Sequence, residues 1–445
     1  MAAIDASQYD EITIESIDGS KTVDLRLGVV GVDYYEDIFS PTITMKILVA
    51  TTGGTSVGEN LEGLYSGLPL RGGERVSLKI LGNSESNQGL DFSNKEDYLY
   101  VSSITNVITQ AQREVFTLNL VSKEALVNET TRVYEKFPSG SRIDASVEKI
   151  LKEKLKTSKP VEVDAASNKY GFIGNLRKPF TVLVWLASKA VSGDGKSAGF
   201  FFYQTQEGFK FKSIDSLESQ EKKKSIIFNQ TPDSRGKNTP AGYDIKALDY
   251  SKDNRVDVQE KLKMGAFSTR TILFDPFNCY YEVVTPNARQ KEGSLKLAGK
   301  ELPRLNPEFD QTGANKDFSR TTYYLLDKGT LPTGDTTQQI SKSTQENFEY
   351  KNILNQSIMR YNQLFSLKST VTIPGDFSLH AGDMVFCDAK QLSENDEEIN
   401  REYGGLYIIA DLCHYISPKE TYTKLNLVRD SIGRTGNHTS RNIPL

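Results

Sequence analysis

The sequence predicts a mainly β fold with an α+β insertion, in which one chain carries two related antiparallel β units. The main observation is an internal repeat, because residues 99–121 (LYVSSITNVITQAQREVFTLNLV) and 406–428 (LYIIADLCHYISPKETYTKLNLV) align without a gap. A second repeat precedes each copy, at 70–76 (LRGGERV) and 379–385 (LHAGDMV), with the shared pattern Leu-x-x-Gly-acid-x-Val. Two repeats in the same order indicate a duplicated unit.

Residues 1–124 are predicted to form the first β unit. Val23, Leu25, Leu27 and Val29 alternate with polar or small residues, which is typical of a strand with one face in solvent. A second alternating run starts after Pro41, and the first copy of the repeat supplies further strands near its two ends. This is about the size of one small domain.

Residues 125–235 are predicted to form a separate α+β module. Ser141 is a candidate helix cap with Asp144 three residues later, and an apolar stripe follows at helical spacing. Pro179 suits the first position of a second helix, which Gly193 is expected to end. Two aromatic runs flank the turn residues 206–208 (QEG), which predicts a β-hairpin.

The second copy of the β unit is predicted to be split along the rest of the chain. Short strands are expected near 271–274, 280–284 and 321–326, and Leu354, Ile358 and Tyr361 have helical spacing. Residues 221–241, which span the boundary at 235, are interpreted as an exposed polar link. We divide the remaining chain into the first part of the second unit at 236–285, an insertion or extended loops at 286–345, the remainder of the second unit at 346–430, and an extended tail at 431–445.

Composition narrows the function classes. The net charge of −4 and pI of about 5.7 give no general attraction to nucleic acid or to an anionic membrane. Cys279, Cys387 and Cys413 lie far apart and show neither a disulfide framework nor a metal-type spacing. No apolar run reaches the ~18 residues of a membrane span. The N-terminal MAAIDASQYDEI lacks the basic and apolar regions of a signal peptide, so we expect synthesis in a reducing cytoplasm.

Two glycine-rich segments match catalytic or phosphate-binding motifs only in part. Residues 54–58 (GTSVG) match a nucleophile elbow, but the neighbouring strands are predicted to be antiparallel, and His380, His414 and His438 are the only histidines in the sequence. Residues 193–197 (GDGKS) resemble the end of a phosphate loop but follow a helix, so a helix end explains them better. We therefore assign no catalytic or cofactor-binding residue and predict a protein that is not an enzyme.

One acidic segment has the spacing of a calcium loop. Asp249, Ser251, Asp253, Asp257 and Glu260 occupy positions 1, 3, 5, 9 and 12 of such a loop. Asparagine stands where the loop needs glycine, and the flanking helices are short. We favour a solvated acidic loop and assign no metal ligand, while a bound ion stays open as the alternative. The three lysines at 222–224 are interpreted as a solvated face.

Several stretches resemble the baseplate hub protein of contractile-tailed bacteriophages, the separate-chain counterpart of the N-terminal part of type VI secretion spike proteins. The resemblance rests on the order of segments that are individually of low specificity. These segments are 70–81, 208–217 (GFKFKSIDSL), 275–282 (DPFNCYYE), 373–383 (IPGDFSLHAGD) and 406–430. The sequence contains no needle repeats and no lysozyme-like domain, so we expect the hub alone rather than the fused form.

The resemblance implies two tail-tube-like β-barrels per chain and a homotrimer, so that three chains form a ring of six similar units. It implies a structural adaptor in the virion tail baseplate, assembled in the host cytoplasm, that joins the hexameric tail tube to the trimeric central spike. The implied partners are the spike, the tail tube or tube-initiator proteins, the tape measure protein and neighbouring baseplate wedge proteins. DNA would pass through a central channel without sequence-specific binding, in keeping with the mildly acidic charge.

Two other classes stay open. One is a calcium-stabilised trimeric adhesin or receptor-binding tail protein, which would use the loop from Asp249 to Glu260. The other is a cell-wall hydrolase that works through carboxylates. A further hypothesis concerns residues 431–445, which have no core-forming pattern and carry Arg434 and Arg441, so that they would become ordered on a partner such as the spike.

Overall fold

The structure is a computed structural model that describes residues 6–51, 64–68, 70–82, 87–110, 113–193, 197–229, 239–252, 258–264, 269–275, 280–284, 320–325, 350–389 and 403–430. Most regular elements in these ranges are strands, and the largest sheet contains strands from both ends of the chain. The prediction of a mainly β fold with an α+β insertion is confirmed.

The first β unit is an antiparallel sheet with the strand order β3-β4-β8-β7-β5-β1-β2, and β6 pairs with β5. Alternation determines its core, since Ile47 and Val49 on one strand and Leu118 and Leu120 on another are buried at every second position. Its elements are β1 (Gln8–Glu15), β2 (Thr22–Asp24), β3 (Val29–Asp37), β4 (Thr44–Thr51), α1 (Leu64–Gly67), β5 (Arg75–Leu81), β6 (Leu90–Phe92), β7 (Leu99–Gln110) and β8 (Arg113–Ser122).

The insertion packs helices against a small aromatic-rich sheet. Phe202 and Phe209 stack with ring centroids 5.8 Å apart, which confirms the predicted hairpin. The bounds are α2 (Lys123–Thr130), β9 (Lys136–Phe137), α3 (Ile143–Lys149) continued by a π-helical turn (Ile150–Lys154), β10 (Val161–Val163), β11 (Phe172–Ile173), α4 (Pro179–Ala187), β12 (Phe200–Thr205), β13 (Gly208–Ser213) and α5 (Ile214–Ser219).

The second β unit has the strand order β16-β20-β23-β22-β21-β14-β15, while β17, β18 and β19 form a separate sheet. Its last pairs, β21 with β14 and β14 with β15, are parallel, unlike those of the first unit. Its elements are β14 (Lys224–Phe228), β15 (Ile245–Lys246), β16 (Asp249–Lys252), α6 (Val258–Met264), β17 (Thr269–Asp275), β18 (Tyr280–Val284), β19 (Arg320–Leu325), α7 (Tyr350–Leu364), β20 (Leu367–Pro374), β21 (Met384–Ala389), β22 (Gly405–Ile416) and β23 (Thr421–Arg429).

The shorter sequence repeat, at 70–76 and 379–385, forms the same kind of turn in both units. The Arg71 backbone N–H donates to the Glu74 carboxylate at 2.6 Å, and the His380 N–H donates to the Asp383 carboxylate at 2.7 Å. In both copies the acid three residues ahead satisfies the first N–H of the turn, which explains the shared acid position.

The glycine of this turn also occupies the same place in both copies. Gly73 and Gly382 have φ of 96° and 89°, in the left-handed region that glycine adopts without strain. The Gly73 N–H donates to the Val101 carbonyl at 2.7 Å, and the Gly382 N–H donates to the Ile409 carbonyl at 2.8 Å. Each turn is therefore fastened to the first strand of the long repeat, and the duplication is structural.

The register of the long repeat corrects the gap-free alignment. Asn119 lies opposite Ser103, and its counterpart Asn426 lies opposite Asp411. Without a gap, Ser103 would instead correspond to Ala410. The first hairpin has a second register shift, between Thr105 and Ile108, that the second hairpin lacks. The alignment is therefore wrong by one residue on the first strand before that shift and holds from Ile108 onward.

Three local predictions differ from the structure. Lys224–Phe228 lies in the predicted exposed link but forms strand β14, where Ile226 is fully buried. Arg142 rather than Ser141 occupies the cap position of α3, and the carboxylate of Asp144 accepts from the guanidinium of Arg142 instead of closing a capping box. Helix α4 ends at Ala187, before Gly193.

The structure leaves the domain division as a prediction, with boundaries at 124, 235, 285, 345 and 430. Strand β16 pairs with β20 in the second unit, whereas β17 and β18, in the same predicted segment, pair with each other and with β19. The predicted tail at 431–445 lies outside the described residues.

Candidate assembly site

The two β units meet along a seam where β22 of the second unit pairs with β3 of the first. The antiparallel register runs from Asp411 opposite Asp37 to Ile416 opposite Val32. Backbone hydrogen bonds therefore continue from one unit into the other, and each edge strand satisfies its partner's unpaired N–H and C=O groups. The result is one continuous sheet that runs through both units.

Apolar side chains cross this seam in both directions. Phe377 and Ile416 belong to the second unit by sequence but are buried in the core cluster of the first. Ile38 of the first unit is buried in a cluster with Met384 and Ile408 of the second. Because each core contains side chains from the other unit, the two units are packed as one body.

Glu36 lies at the centre of the seam and is bound by groups from three parts of the chain. Its Oε1 accepts from the Tyr34 hydroxyl at 2.7 Å and from the Gln206 backbone N–H at 2.8 Å, and it lies 3.1 Å from Nδ1 of His380. Its Oε2 accepts from the Ala381 backbone N–H at 2.9 Å. One carboxylate thus joins β3, the β12–β13 turn of the insertion and the repeated turn of the second unit.

Electrostatics favour an ion pair between Glu36 and His380. Burial raises the pKa of Glu36, but the charge and hydrogen bond of His380 and two backbone N–H groups outweigh it, so the pKa lies below its usual range. Burial lowers the pKa of His380, whereas the charges of Glu36, Asp383 and Glu207 raise it above its usual range. Both pKa shifts favour the charged form of each partner.

His414 lies beside this pair but remains neutral. It is fully buried, its Nδ1 lies 2.8 Å from Oγ1 of Thr423, and its ring stacks on Tyr34 and meets Phe377 edge-on. Burial lowers its pKa to about 4, and the charge of Glu36 offsets only part of that effect. His414 acts as a buried aromatic spacer across the seam.

Polar bridges extend the seam beyond Glu36. The Asn87 amide donates to the Gly375 carbonyl at 3.0 Å, and its oxygen accepts from the Phe377 N–H at 2.9 Å. The Ser7 N–H donates to Oγ1 of Thr421 at 3.1 Å. The Asn87 side chain satisfies two backbone groups of the second unit, and the Thr421 side chain satisfies a backbone N–H of the first unit.

A second contact fixes the insertion to helix α7. The Arg360 guanidinium donates to both carboxylate oxygens of Asp215, at 2.7 and 3.2 Å, and to the Ala198 carbonyl at 3.1 Å. The Tyr361 hydroxyl donates to the Phe200 carbonyl at 2.5 Å. The insertion is therefore held from two sides, by the seam and by α7.

The motifs considered in the sequence do not converge on one site. Residues 54–58, residues 194–196 and His438 lie outside the described residues. Asp249 and Ser251 lie on strand β16, paired with β20, and residues 253–257 lie outside the described part. Glu260 lies on α6. Among the described residues no group of three or more His, Cys, Asp or Glu side chains could hold a metal ion.

Sequence reasoning missed the role of Glu36, although a signal existed. Val32, Tyr34 and Glu36 occupy every second position of β3, and all three are buried. A carboxylate in the inward phase of a strand needs a buried partner. His380 and His414 were considered only as catalytic bases, whereas the structure brings them together as parts of the seam.

The fold is shared with solved structures of tail proteins. The chain is similar to the tail protein from Neisseria meningitidis MC58, with a TM-score of 0.53 and 10% identity over 95% of this chain and 98% of that one. It is also similar to the 43 kDa tail protein of prophage MuSo2 from Shewanella oneidensis, with a TM-score of 0.50 and 10% identity over the same shares of the two chains. No family model matches the sequence.

A curated relative makes the class more specific. The chain is 22% identical over 333 residues to the probable baseplate hub protein gp334 of Vibrio phage KVP40, covering 73% of this chain and 72% of that protein. The predicted resemblance to baseplate hub proteins is confirmed. Separately, no helix in the described ranges has the length and apolar character needed to cross a membrane.

Proposed function

We propose that this chain is the structural hub of a contractile-tail baseplate in the virion. Three copies form a ring of six similar β-barrels that joins a six-fold tail tube to a three-fold central spike. The relative from Vibrio phage KVP40 is a probable baseplate hub protein, and the solved structures of similar fold are tail proteins. These relatives support a structural role rather than an enzymatic one.

The observation that carries this proposal is the seam between the two β units. One chain already contains two related units joined edge to edge through β22 and β3. If the same kind of junction recurs between chains, three chains give six units around one axis. A three-fold protein can then offer six similar contacts to a six-fold tube while keeping three insertions for a three-fold partner.

The proposed partners follow from this position. The tube or a tube-initiator protein would bind one face of the ring and the spike the other, with the tape measure protein at the channel and wedge proteins at the periphery. DNA would pass through the channel without sequence-specific contacts. Assembly would take place in the host cytoplasm before the hub becomes part of the virion.

Light scattering on the purified chain tests the ring. We expect a mass of three times the 49.7 kDa chain mass, unchanged by EDTA, and a six-lobed ring by electron microscopy. A monomer at all concentrations, alone and with the spike, would contradict the ring. A trimer that dissociates in EDTA would favour the calcium-stabilised adhesin instead, an alternative that the comparisons do not favour.

A further inference from the structure

Two strand edges at opposite ends of the joined sheet lack a partner among the described residues. Strand β7 pairs with β5 only at Leu99 and Tyr100, so no described strand covers the outer edge of its remaining part, from Ser103 to Gln110. Strand β16 pairs with β20 on one side and ends the strand order on the other. Unpaired strand edges are the sites where a second chain can add.

The duplication relates these two edges to the seam. In strand order, β3-β4-β8-β7-β5 of the first unit corresponds to β16-β20-β23-β22-β21 of the second. The seam joins β22 to β3 within the chain. The equivalent of β22 is β7, and the equivalent of β3 is β16. The two edges that no described strand covers are therefore equivalent to the two edges that form the seam, each on the other unit.

The register of the missing junction follows from the seam. Asp33 lies opposite Lys46 of β4, which in turn lies opposite Asn119 of β8. Ser251 lies opposite Thr370 of β20, which lies opposite Asn426 of β23, so Ser251 is the equivalent of Asp33. The two asparagines already correspond in the repeat. In the same way Tyr250 corresponds to Val32. Val32 aligns across β4 with Leu118, just before Asn119, and Tyr250 aligns across β20 with Leu425, just before Asn426.

The other strand of the junction is assigned in the same manner. Ile108 lies opposite Val115, and Tyr415 lies opposite Tyr422, with each partner four residues before the corresponding asparagine. Between the residue opposite the asparagine and this point, β7 contains one more residue than β22. A register shift next to Asn106, which has φ of 55°, accommodates the extra residue. In the seam Tyr415 lies opposite Asp33. Ile108 should therefore lie opposite Ser251 of a second copy.

The composition of the β7 edge supports a covered surface. The part that no described strand covers, SITNVITQ, contains no charged residue and no proline, and five of its eight residues are isoleucine, valine or threonine, the β-branched types. Val107 and Ile108 are 42% and 54% exposed. Proteins usually protect an uncovered edge with lysine, proline or a covering loop, and an edge whose sequence has no lysine or proline can pair with another chain. The one occupant for which the chain supplies a matching edge in a known register is another copy of itself.

We propose that the outer edge of β7 pairs antiparallel with the outer edge of β16 from a second copy, and that this heterologous junction closes the ring. This inference rests on the proposed ring and names its contact. Ile108, Thr109 and Gln110 lie opposite Ser251, Tyr250 and Asp249 of the neighbouring copy. Because the junction is head to tail, each chain uses both edges, and rotation about one axis closes the assembly.

Cysteine cross-linking tests the register. Residues directly opposite in an antiparallel pair have Cα atoms about 4.5–5.5 Å apart, within the range that a disulfide spans. The double variant Ile108→Cys with Ser251→Cys, in a chain with Cys279→Ser, should oxidise to a covalent trimer on a non-reducing gel. Since all three junctions become locked, the trimer should be the largest product.

Matched variants separate this contact from random oxidation. The variants with only Ile108→Cys or only Ser251→Cys, each in the same Cys279→Ser chain, should give no covalent trimer. The pair Ile17→Cys with Ser251→Cys should give none either, because Ile17 is 63% exposed but follows the end of β1, away from the β7 edge. Covalent trimer from this control pair to the same extent as from the test pair would overturn the assigned register.

A charge on the edge provides a second readout. Ile108→Lys should reduce the mass from three chains to one without changing circular dichroism or the unfolding temperature. Ile173→Lys, at a 48% exposed position of the insertion, should remain trimeric. If the wild type is a trimer, but the double-cysteine variant gives no covalent trimer and Ile108→Lys remains trimeric, this contact is overturned and the hub proposal stays intact. A wild-type monomer under all conditions would overturn both.

Discussion

Glu36 shows how a single buried carboxylate can hold three segments together. A lone ionised group at full burial is costly, so its stability depends on the partners that the fold supplies. His380 supplies the opposite charge, and the N–H groups of Gln206 and Ala381 supply hydrogen bonds that keep the pKa low. The cluster can form only when all three segments are in place, which links their folding at one residue.

Removing the histidine of this pair should expose that dependence. We expect His380→Ala to lower the free energy of unfolding by about 3–5 kcal/mol, because the charge of Glu36 is left buried without its partner. The measurement is urea unfolding at pH 7. In a Glu36→Gln background the same substitution should be much less damaging, and an equal loss in both backgrounds would rule out the ion pair as the cause.

Acid should destabilise the protein through His414. Its folded pKa of about 4 lies below the ordinary value of 6.5, so the unfolded chain binds the extra proton as the pH falls between these values. We expect a loss of ~3 kcal/mol over that window from this residue. The charged groups that act on His414, namely Glu36, His380 and Asp376, partly cancel one another.

The measurement is the free energy of unfolding from pH 7 to pH 4 for the wild type and for His414→Gln. The difference between the two curves should shrink toward pH 4, because the variant has no imidazole to protonate. Parallel curves would mean that His414 is not neutral and buried in solution.

Among the elements, the repeated turn offers a matched pair of substitutions. Gly73→Ala should lower the free energy of unfolding by about 1–2 kcal/mol, because alanine is strained at φ of 96°. Apart from the adjoining residues, no atom of the described residues lies within 4 Å of the added Cβ. Gly382→Ala should cost about 1–3 kcal/mol more, since the added Cβ would lie 2.3 Å from Oη of the buried Tyr203. Thermal or urea unfolding of both variants measures this difference, and equal losses would contradict the packing argument.

The sequence allowed the elements to be predicted better than the contacts between them. The helix at Pro179 and the hairpin at 206–208 follow from local chemistry, and the structure contains both. The strand Lys224–Phe228 was missed because three lysines precede its short apolar run, and only the pairing with β21 buries it. Long-range pairing is set by the whole fold, so periodicity alone could not assign β14 to the second unit.

The same reason explains why the seam was missed. Glu36 and His380 are 344 residues apart in the chain, and their contact depends on β3 lying beside β22. The repeat predicted two similar units, but nothing in the alignment gave the edge by which they join. The one-residue offset in the alignment of the long repeat arises from a register shift between Thr105 and Ile108, which the sequence pattern does not reveal.

At the scale of the whole molecule, the remaining prediction concerns residues 431–445, which follow β23 and lie outside the described residues. Deleting them should leave the mass of the assembly unchanged, since both edges of the proposed junction lie elsewhere. Binding to the spike, measured by co-purification or calorimetry, should weaken. Unchanged spike binding would contradict the hypothesis that this segment becomes ordered on the spike.

The covalent link between the two β units has a consequence for assembly fidelity. A ring built from separate single-unit subunits could close with five or seven members when the angle between neighbours varies slightly. In the proposed ring every chain contributes two units at once, so odd numbers are impossible and the nearest errors contain four or eight. Because the two units are fused, a small deviation in the angle between neighbours cannot add or remove a single unit. The correct ring size therefore needs less angular precision at each junction.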